Sequence, residues 1–263
     1  MEAGSRPVAL VTGGGIRVGR AIALGLAEDG YDLVVNYHTS AEGAAEVVEA
    51  AGRLGRRVHT VQADLSRKED TVRLARAAAD HFGRLDLLVN SASPFFRGDL
   101  MEITAEEWDA VMAVNVRAPF LLVRETAGLL GAARGSVVNI VDLAALQPWT
   151  SHPAHSVAKA GLLHLTRVMA RRLAPQVRVN AIAPGHVLPP AYFDEAMIES
   201  AREDVPLGRI GTPGDVVEAV RYLTGAGYVT GEVIVVDGGM RWGGRRTATP
   251  SGVSCRRCCY ALE

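Results

Sequence analysis

Strand-length stretches built largely from Val, Ile, Leu and Ala recur along the chain, and longer stretches of helical period lie between them. The strand candidates are 8–11, 33–37, 58–62, 85–90, 136–141, 178–182 and 232–236. Most of them carry apolar residues at consecutive positions. A strand covered on one face alternates apolar and polar, so consecutive apolar residues mark strands covered on both faces. Helical period runs over 17–29, 41–54, 68–82, 105–130, 154–173 and 213–223. This alternation predicts an α/β fold: a doubly wound, seven-stranded parallel sheet with right-handed crossovers and helices on both faces. One Rossmann-type domain is expected over 1–243. Pro184, Gly185, Pro189, Pro190 and Pro206 punctuate the segment after the sixth strand, which predicts a long loop or lid over 184–206.

Composition narrows the function. A formal net charge of −1 gives no basic excess for binding nucleic acid. No run reaches the ~20 apolar residues of a membrane span, and the polar start from Met1 to Pro7 does not read as a leader. Cys255, Cys258 and Cys259 all lie in the last nine residues, so no disulfide could staple the body. The expectation is a soluble, cytoplasmic protein acting on a small molecule. The segment 244–263 is Arg-rich, contains these three cysteines and lacks a hydrophobic period, which predicts a disordered tail. His59, His81, His164 and His186 are scattered without metal-ligand spacing, so no metal site is expected.

The strongest motif follows the first strand. Thr12-Gly13-Gly14-Gly15-Ile16-Arg17-Val18-Gly19 opens directly into a helix. Such a turn lets backbone N–H groups approach a phosphate at a helix N-terminus, as a dinucleotide requires. The second strand ends in Asn36-Tyr37-His38-Thr39-Ser40 and presents no acid for a ribose 2′-hydroxyl. Donors from His38, Thr39 and Ser40, with Arg17 in the facing turn, suit a 2′-phosphate, so NADP(H) is the expected cofactor. The lesser alternative is that Thr39 or Ser40 is a plain cap of the following helix.

At this point the chain resembles the short-chain dehydrogenase/reductase family across residues 6–240. The resemblance rests on the 12–19 turn, Asp64-Leu65, Asn90-Ser91-Ala92, Asn115, Asn139-Ile140, Lys159, Pro184-Gly185 and Val236-Asp237-Gly238-Gly239. It implies cofactor contacts from Gly13, Val18, Gly19, Asp64, Leu65, Asn90, Ala92, Lys159, Pro184, Gly185 and Val187, and a water organised by Asn115 near Lys159. It also implies a homotetramer, or a homodimer, paired through the 154–173 helix. Arg17 in the turn, Ser93-Pro94-Phe95 after the fourth strand and Asp142 at the usual serine position resemble the pteridine reductases. That likeness implies a pterin or folate substrate reduced at a C=N bond, stacked on Phe95 and flanked by Arg17, Ser93, His152 and Leu188. A generic carbonyl reductase, of the 3-oxoacyl or a similar kind, is the alternative.

The chain departs from the family at the catalytic tyrosine. His155 stands four residues before Lys159, on one helix face, and the nearest tyrosine after it is Tyr192. Three readings stay open. His155 is the general acid; or Asp142 supplies the proton while His155 orients substrate; or catalysis is impaired and NADP binding serves a regulatory or scaffold role.

Overall fold

The computed structural model describes residues 6–189 and 194–243. Seven strands form one sheet: β1 (Val8–Val11), β2 (Asp32–Tyr37), β3 (Val58–Gln62), β4 (Leu87–Asn90), β5 (Ser136–Ile140), β6 (Arg178–Pro184) and β7 (Val233–Val236). Their order is β3-β2-β1-β4-β5-β6-β7, and every neighbouring pair is parallel. Helices α1 (Arg17–Glu28), α2 (Ala41–Arg53), α3 (Lys68–Phe82), α4 (Ala105–Met112), α5 (Ala118–Ala133), α6 (Pro153–Leu173), α7 (Glu195–Glu203) and α8 (Pro213–Gly225) complete the chain order.

The consecutive apolar residues of the strands divide between two cores. Val8 and Leu10 of β1, with Leu88 and Val137, bury against Leu74 of α3, Leu122 and Leu130 of α5 and Met169 of α6. Ala9 and Val11, with Leu87, Val89 and Val138, bury against Ile22 and Leu26 of α1, Val47 of α2 and Val220 of α8. Side chains alternate across a strand, so one run of Val and Leu feeds both layers. Each large side chain so buried contributes about 1.5–3 kcal/mol.

Two expectations need correction. The helical period over 105–130 is not one helix, because a π-helical turn at Ala113–Arg117 separates α4 from α5. The wider turn leaves backbone carbonyls without their usual donors, and the Asn115 side chain supplies one, donating Nδ2–H to the Val111 carbonyl at 3.1 Å. Within 184–206 the chain also forms α7, capped by Asp194, whose side chain accepts from the Met197 N–H at 2.8 Å. Proline density masked that short helix. The 244–263 segment with Cys255, Cys258 and Cys259, and Tyr192, lie outside the described residues.

A buried polar chain ties α6 to the centre of the sheet. Asn90 Nδ2 donates to Asn139 Oδ1, Asn139 Nδ2 donates to Thr166 Oγ1, and Thr166 Oγ1 donates to the Leu162 carbonyl, each at 2.8 Å. Asn139→Ala strands the Asn90 amide without that acceptor and opens a small void. The expected cost is about 2–4 kcal/mol, read as a lower urea midpoint with unchanged slope.

Candidate active site

The sheet order reverses between β1 and β4, and ligands of such sheets bind at the carboxyl ends of the strands beside that switch point. The 12–19 turn sits there. Thr12 Oγ1 accepts the backbone N–H of Ser91 at 2.9 Å and of Ala92 at 3.0 Å, which holds the ends of β1 and β4 together. Asn36 Oδ1 accepts the Gly13 N–H at 3.2 Å, which ties the turn to β2. The turn is tight at Gly19, where a Cβ would lie 2.3 Å from the Gly13 carbonyl oxygen. The α1 N-cap, Ile16, offers no side-chain acceptor, and the first turn of α1 holds no acid. The positive end of α1 is therefore left for an anion, and the turn fits a dinucleotide phosphate.

Arg17 occupies the left-handed region, at φ 51°. Its guanidinium donates to the Leu188 carbonyl at 3.0 Å. The structure thus joins Arg17 to the segment after β6, where Val187 is buried and Leu188 half-buried. At the end of β2, His38 and Thr39 are exposed. Ser40 is the N-cap of α2 but makes no side-chain cap, so its hydroxyl is not spent on that helix end. Asp64 accepts the Ser66 N–H at 2.9 Å, and Leu65 beside it is buried. Gly185 packs closely on Asp237, 2.8 Å from a built Cβ.

The second half of the site lies where β5 ends and α6 begins. Asp142 Oδ1 accepts the Ala144 N–H at 2.9 Å, and Asp142 Oδ2 lies 2.5 Å from His155 Nε2. His155 is 2% exposed, and its Nδ1 is buried without a hydrogen-bond partner among the described residues. One turn on, Lys159 is 3% exposed and donates Nζ–H to the Ile140 carbonyl at 2.9 Å. Burial alone would raise the Asp142 carboxyl. The His155 hydrogen bond and the Lys159 charge outweigh that and hold it below the ordinary carboxylate range. Burial pushes the Lys159 ammonium down, opposed by Asp142. An ionised carboxylate only accepts, so the hydrogen between the pair belongs to His155 Nε2.

Aromatic side chains surround this pair. Phe95, half exposed, stacks on His152 with centroids 4.2 Å apart and meets His155 edge-on at 4.8 Å. Trp149 lies parallel to His155 at 6.4 Å and edge-on to His152 at 6.3 Å. His152 is the N-cap of α6, with Nδ1 3.0 Å from Ser151 Oγ. Burial first, then the charges of His155 and Arg97, push the His152 imidazole below its ordinary range. Ser93 donates to Asn115 Oδ1 at 2.8 Å, which joins two expected site residues. Sequence reasoning passed over Trp149 and Ser156. Ser156 Oγ accepts the Trp149 N–H at 3.2 Å and donates to the Ala144 carbonyl at 3.1 Å, pinning the 144–149 loop to α6. The only signal was Trp149 itself, an aromatic just ahead of the predicted helix.

The family described as Enoyl-(Acyl carrier protein) reductase matches residues 15–241. A ketoacyl reductase named for the granaticin polyketide synthase of Streptomyces violaceoruber is 38% identical over 246 residues, covering 90% of this chain and 97% of that protein. The 3-oxoacyl-[acyl-carrier-protein] reductase of Synechocystis is 34% identical over 245 residues, covering 91% of this chain and 99% of its own. Among solved structures, acetoin dehydrogenase YohF from Salmonella typhimurium superposes with a TM-score of 0.84 at 29% identity, over 92% of this chain and 98% of that one. The parallel sheet, its switch-point turn and this extent of likeness agree on one conclusion: the chain belongs to the short-chain dehydrogenase/reductase family and is an oxidoreductase of that type.

Proposed function

We propose that the protein is an NADPH-dependent carbonyl reductase acting on ketones of the 3-oxoacyl kind, with His155 and Asp142 taking the place of the family's tyrosine and serine as proton donor. The observation that carries this reading is the 2.5 Å contact between His155 Nε2 and Asp142 Oδ2, one helical turn from the buried Lys159. The names of the relatives support the substrate class.

NADPH, when bound, supplies the hydride; the protein's residues do the rest. Gly13, Val18, Gly19 and the N-terminus of α1 would hold the diphosphate. Asp64 and Leu65 would hold the adenine, and His38, Thr39 and Ser40 the 2′-phosphate. Asn90, Ala92, Pro184, Gly185 and Val187 would line the nicotinamide side, where Lys159 would hold the ribose. Asp142 fixes the His155 ring, and His155 would hand the proton to the carbonyl oxygen. Asn115 holds Ser93 at the substrate edge. His152, Phe95, Leu188 and Arg17 would shape the rest of that edge. A homotetramer or homodimer paired through α6 extends the reading, supported by its exposed Val157 and Val168.

One observation favours a second substrate, a flat pterin-like ring reduced at C=N: the half-exposed face of Phe95 beside Trp149. The two are separated by turnover with NADPH on a panel of 3-oxo thioesters, ketones, dihydrobiopterin and dihydrofolate, where 3-oxo compounds should lead. Calorimetric titration should show NADPH binding at least about tenfold tighter than NADH, roughly 1.4 kcal/mol. Equal affinities would remove the phosphate role from His38, Thr39 and Ser40.

A further inference from the structure

We infer that Arg97 is a specificity residue: it binds an anionic group, a carboxylate or a phosphate, on the part of the substrate that projects from the site. The inference rests on the proposed reduction of a ketone at His155, and it names a feature of the substrate that this reading leaves open.

Contacts on either side of Arg97 fix where its loop lies. Phe95, two residues before it, stacks on His152 with centroids 4.2 Å apart and meets His155 edge-on at 4.8 Å. Gly98, the next residue, donates its backbone N–H to the Ser151 carbonyl at 3.0 Å. The 95–98 segment is thus clamped across the start of α6, and Arg97 is held beside His152. Its charge is felt there, where it helps to push the imidazole below its ordinary range. The anchors fix the backbone, and the long, exposed side chain stays free to meet a ligand. Phe95 touches both His155 and His152. A substrate that leaves its ketone at His155 and runs along the exposed Phe95 ring therefore comes to Arg97.

The guanidinium is not used by the fold. Among the described residues Arg97 makes no ion pair and no hydrogen bond. The next acid along the chain, Asp99, is spent on its own turn, where Oδ1 accepts the Met101 N–H at 2.8 Å. Asp142, the carboxylate that acts on His152, is engaged by His155 and by the Ala144 N–H. His152 caps α6 without a side-chain bond, and the first turn of that helix holds no acid, so its positive end adds to the same field. A mouth of one sign draws the opposite charge toward it. A guanidinium there binds a carboxylate or a phosphate through two parallel hydrogen bonds, which sets orientation as well as affinity.

The test compares kcat/KM within matched pairs of substrates, using the full chain with NADPH saturating. One set is a length series of 3-oxo methyl esters whose far end is either a carboxylate or its methyl ester. The other is acetoacetyl-CoA against the uncharged acetoacetyl thioester of N-acetylcysteamine. In at least one set the anionic member should lead its neutral partner by about fivefold or more at low salt, and the lead should shrink as salt rises. The set that shows it tells a carboxylate from a phosphate. Arg97→Gln should lower that ratio at least about fivefold, chiefly through KM. Arg97→Lys should keep part of it, and Arg97→Glu should lower it further than glutamine does. An Arg97→Gln variant that loses both members alike keeps the ratio, which marks a structural residue and overturns the inference. Wild type that reduces anionic and neutral members equally well in both sets also overturns it. Either result leaves the reductase reading standing. Reduction of no member of either set overturns the ketone reading and this inference with it.

Discussion

Lys159→Met is expected to lower NADPH-dependent turnover by about 10²–10³ while leaving the melting temperature unchanged or higher. The side chain is 3% exposed and its ammonium has a single hydrogen-bond acceptor among the described residues, the Ile140 carbonyl. Burial lowers its pKa despite the opposing pull of Asp142, so the fold disfavours the charged form. The sign follows. At neutral pH the folded state carries a charge that costs it stability, and methionine of similar volume removes that cost. Loss of one preorganised cationic donor in a closed site is typically worth ~10²–10³ in rate. NADPH affinity measured by calorimetry should fall with the rate, since the ammonium is assigned to the nicotinamide ribose. Unfolding of the variant with unchanged turnover in whatever remains folded would reverse the assignment and make Lys159 a structural residue.

The same arrangement gives a pH sign for stability. Asp142 is held below the ordinary carboxylate range in the folded chain. Its contribution is whole above that range and is lost as pH falls through the depressed folded value.

The sheet was legible because both of its faces are covered. Val8 to Val11 has an apolar residue at every position, and the structure sends Val8 and Leu10 to one core and Ala9 and Val11 to the other. The switch-point turn was legible because glycine is demanded by contact, as at Gly19 against the Gly13 carbonyl. Two elements were not legible, for different reasons. A π-turn keeps the apolar period almost intact, so 105–130 reads as one helix until Asn115 is seen capping Val111. The short helix at Glu195–Glu203 is polar and lies among prolines, so periodicity had little to register.

At the site, linear spacing located Asp142, His155 and Lys159 separately but could not state that the carboxylate and the imidazole touch. Residues 142 and 155 come from a strand end and a helix start, and only the packing of α6 on β5 brings them to 2.5 Å. Trp149 was missed for the converse reason. It belongs to no periodic element, and its place beside His155 depends on the Ser156 hydroxyl that anchors its loop. The direction of the Arg17 guanidinium was equally invisible, because its Leu188 acceptor is remote in sequence.

His155→Gln should lower reduction by about 10²–10⁴, the usual worth of a positioned general acid. Glutamine can still hydrogen-bond Asp142 but cannot pass a proton. An unchanged melting temperature in the variant separates this loss from a packing defect. His155→Tyr places a phenol four residues before Lys159, at the family's position. Ketone reduction in that variant should rise by at least about tenfold, roughly 1.4 kcal/mol of barrier, if the imidazole is the weaker donor for a simple ketone. Equal rates in wild type and His155→Tyr would mean that neither side chain reaches the reacting atom.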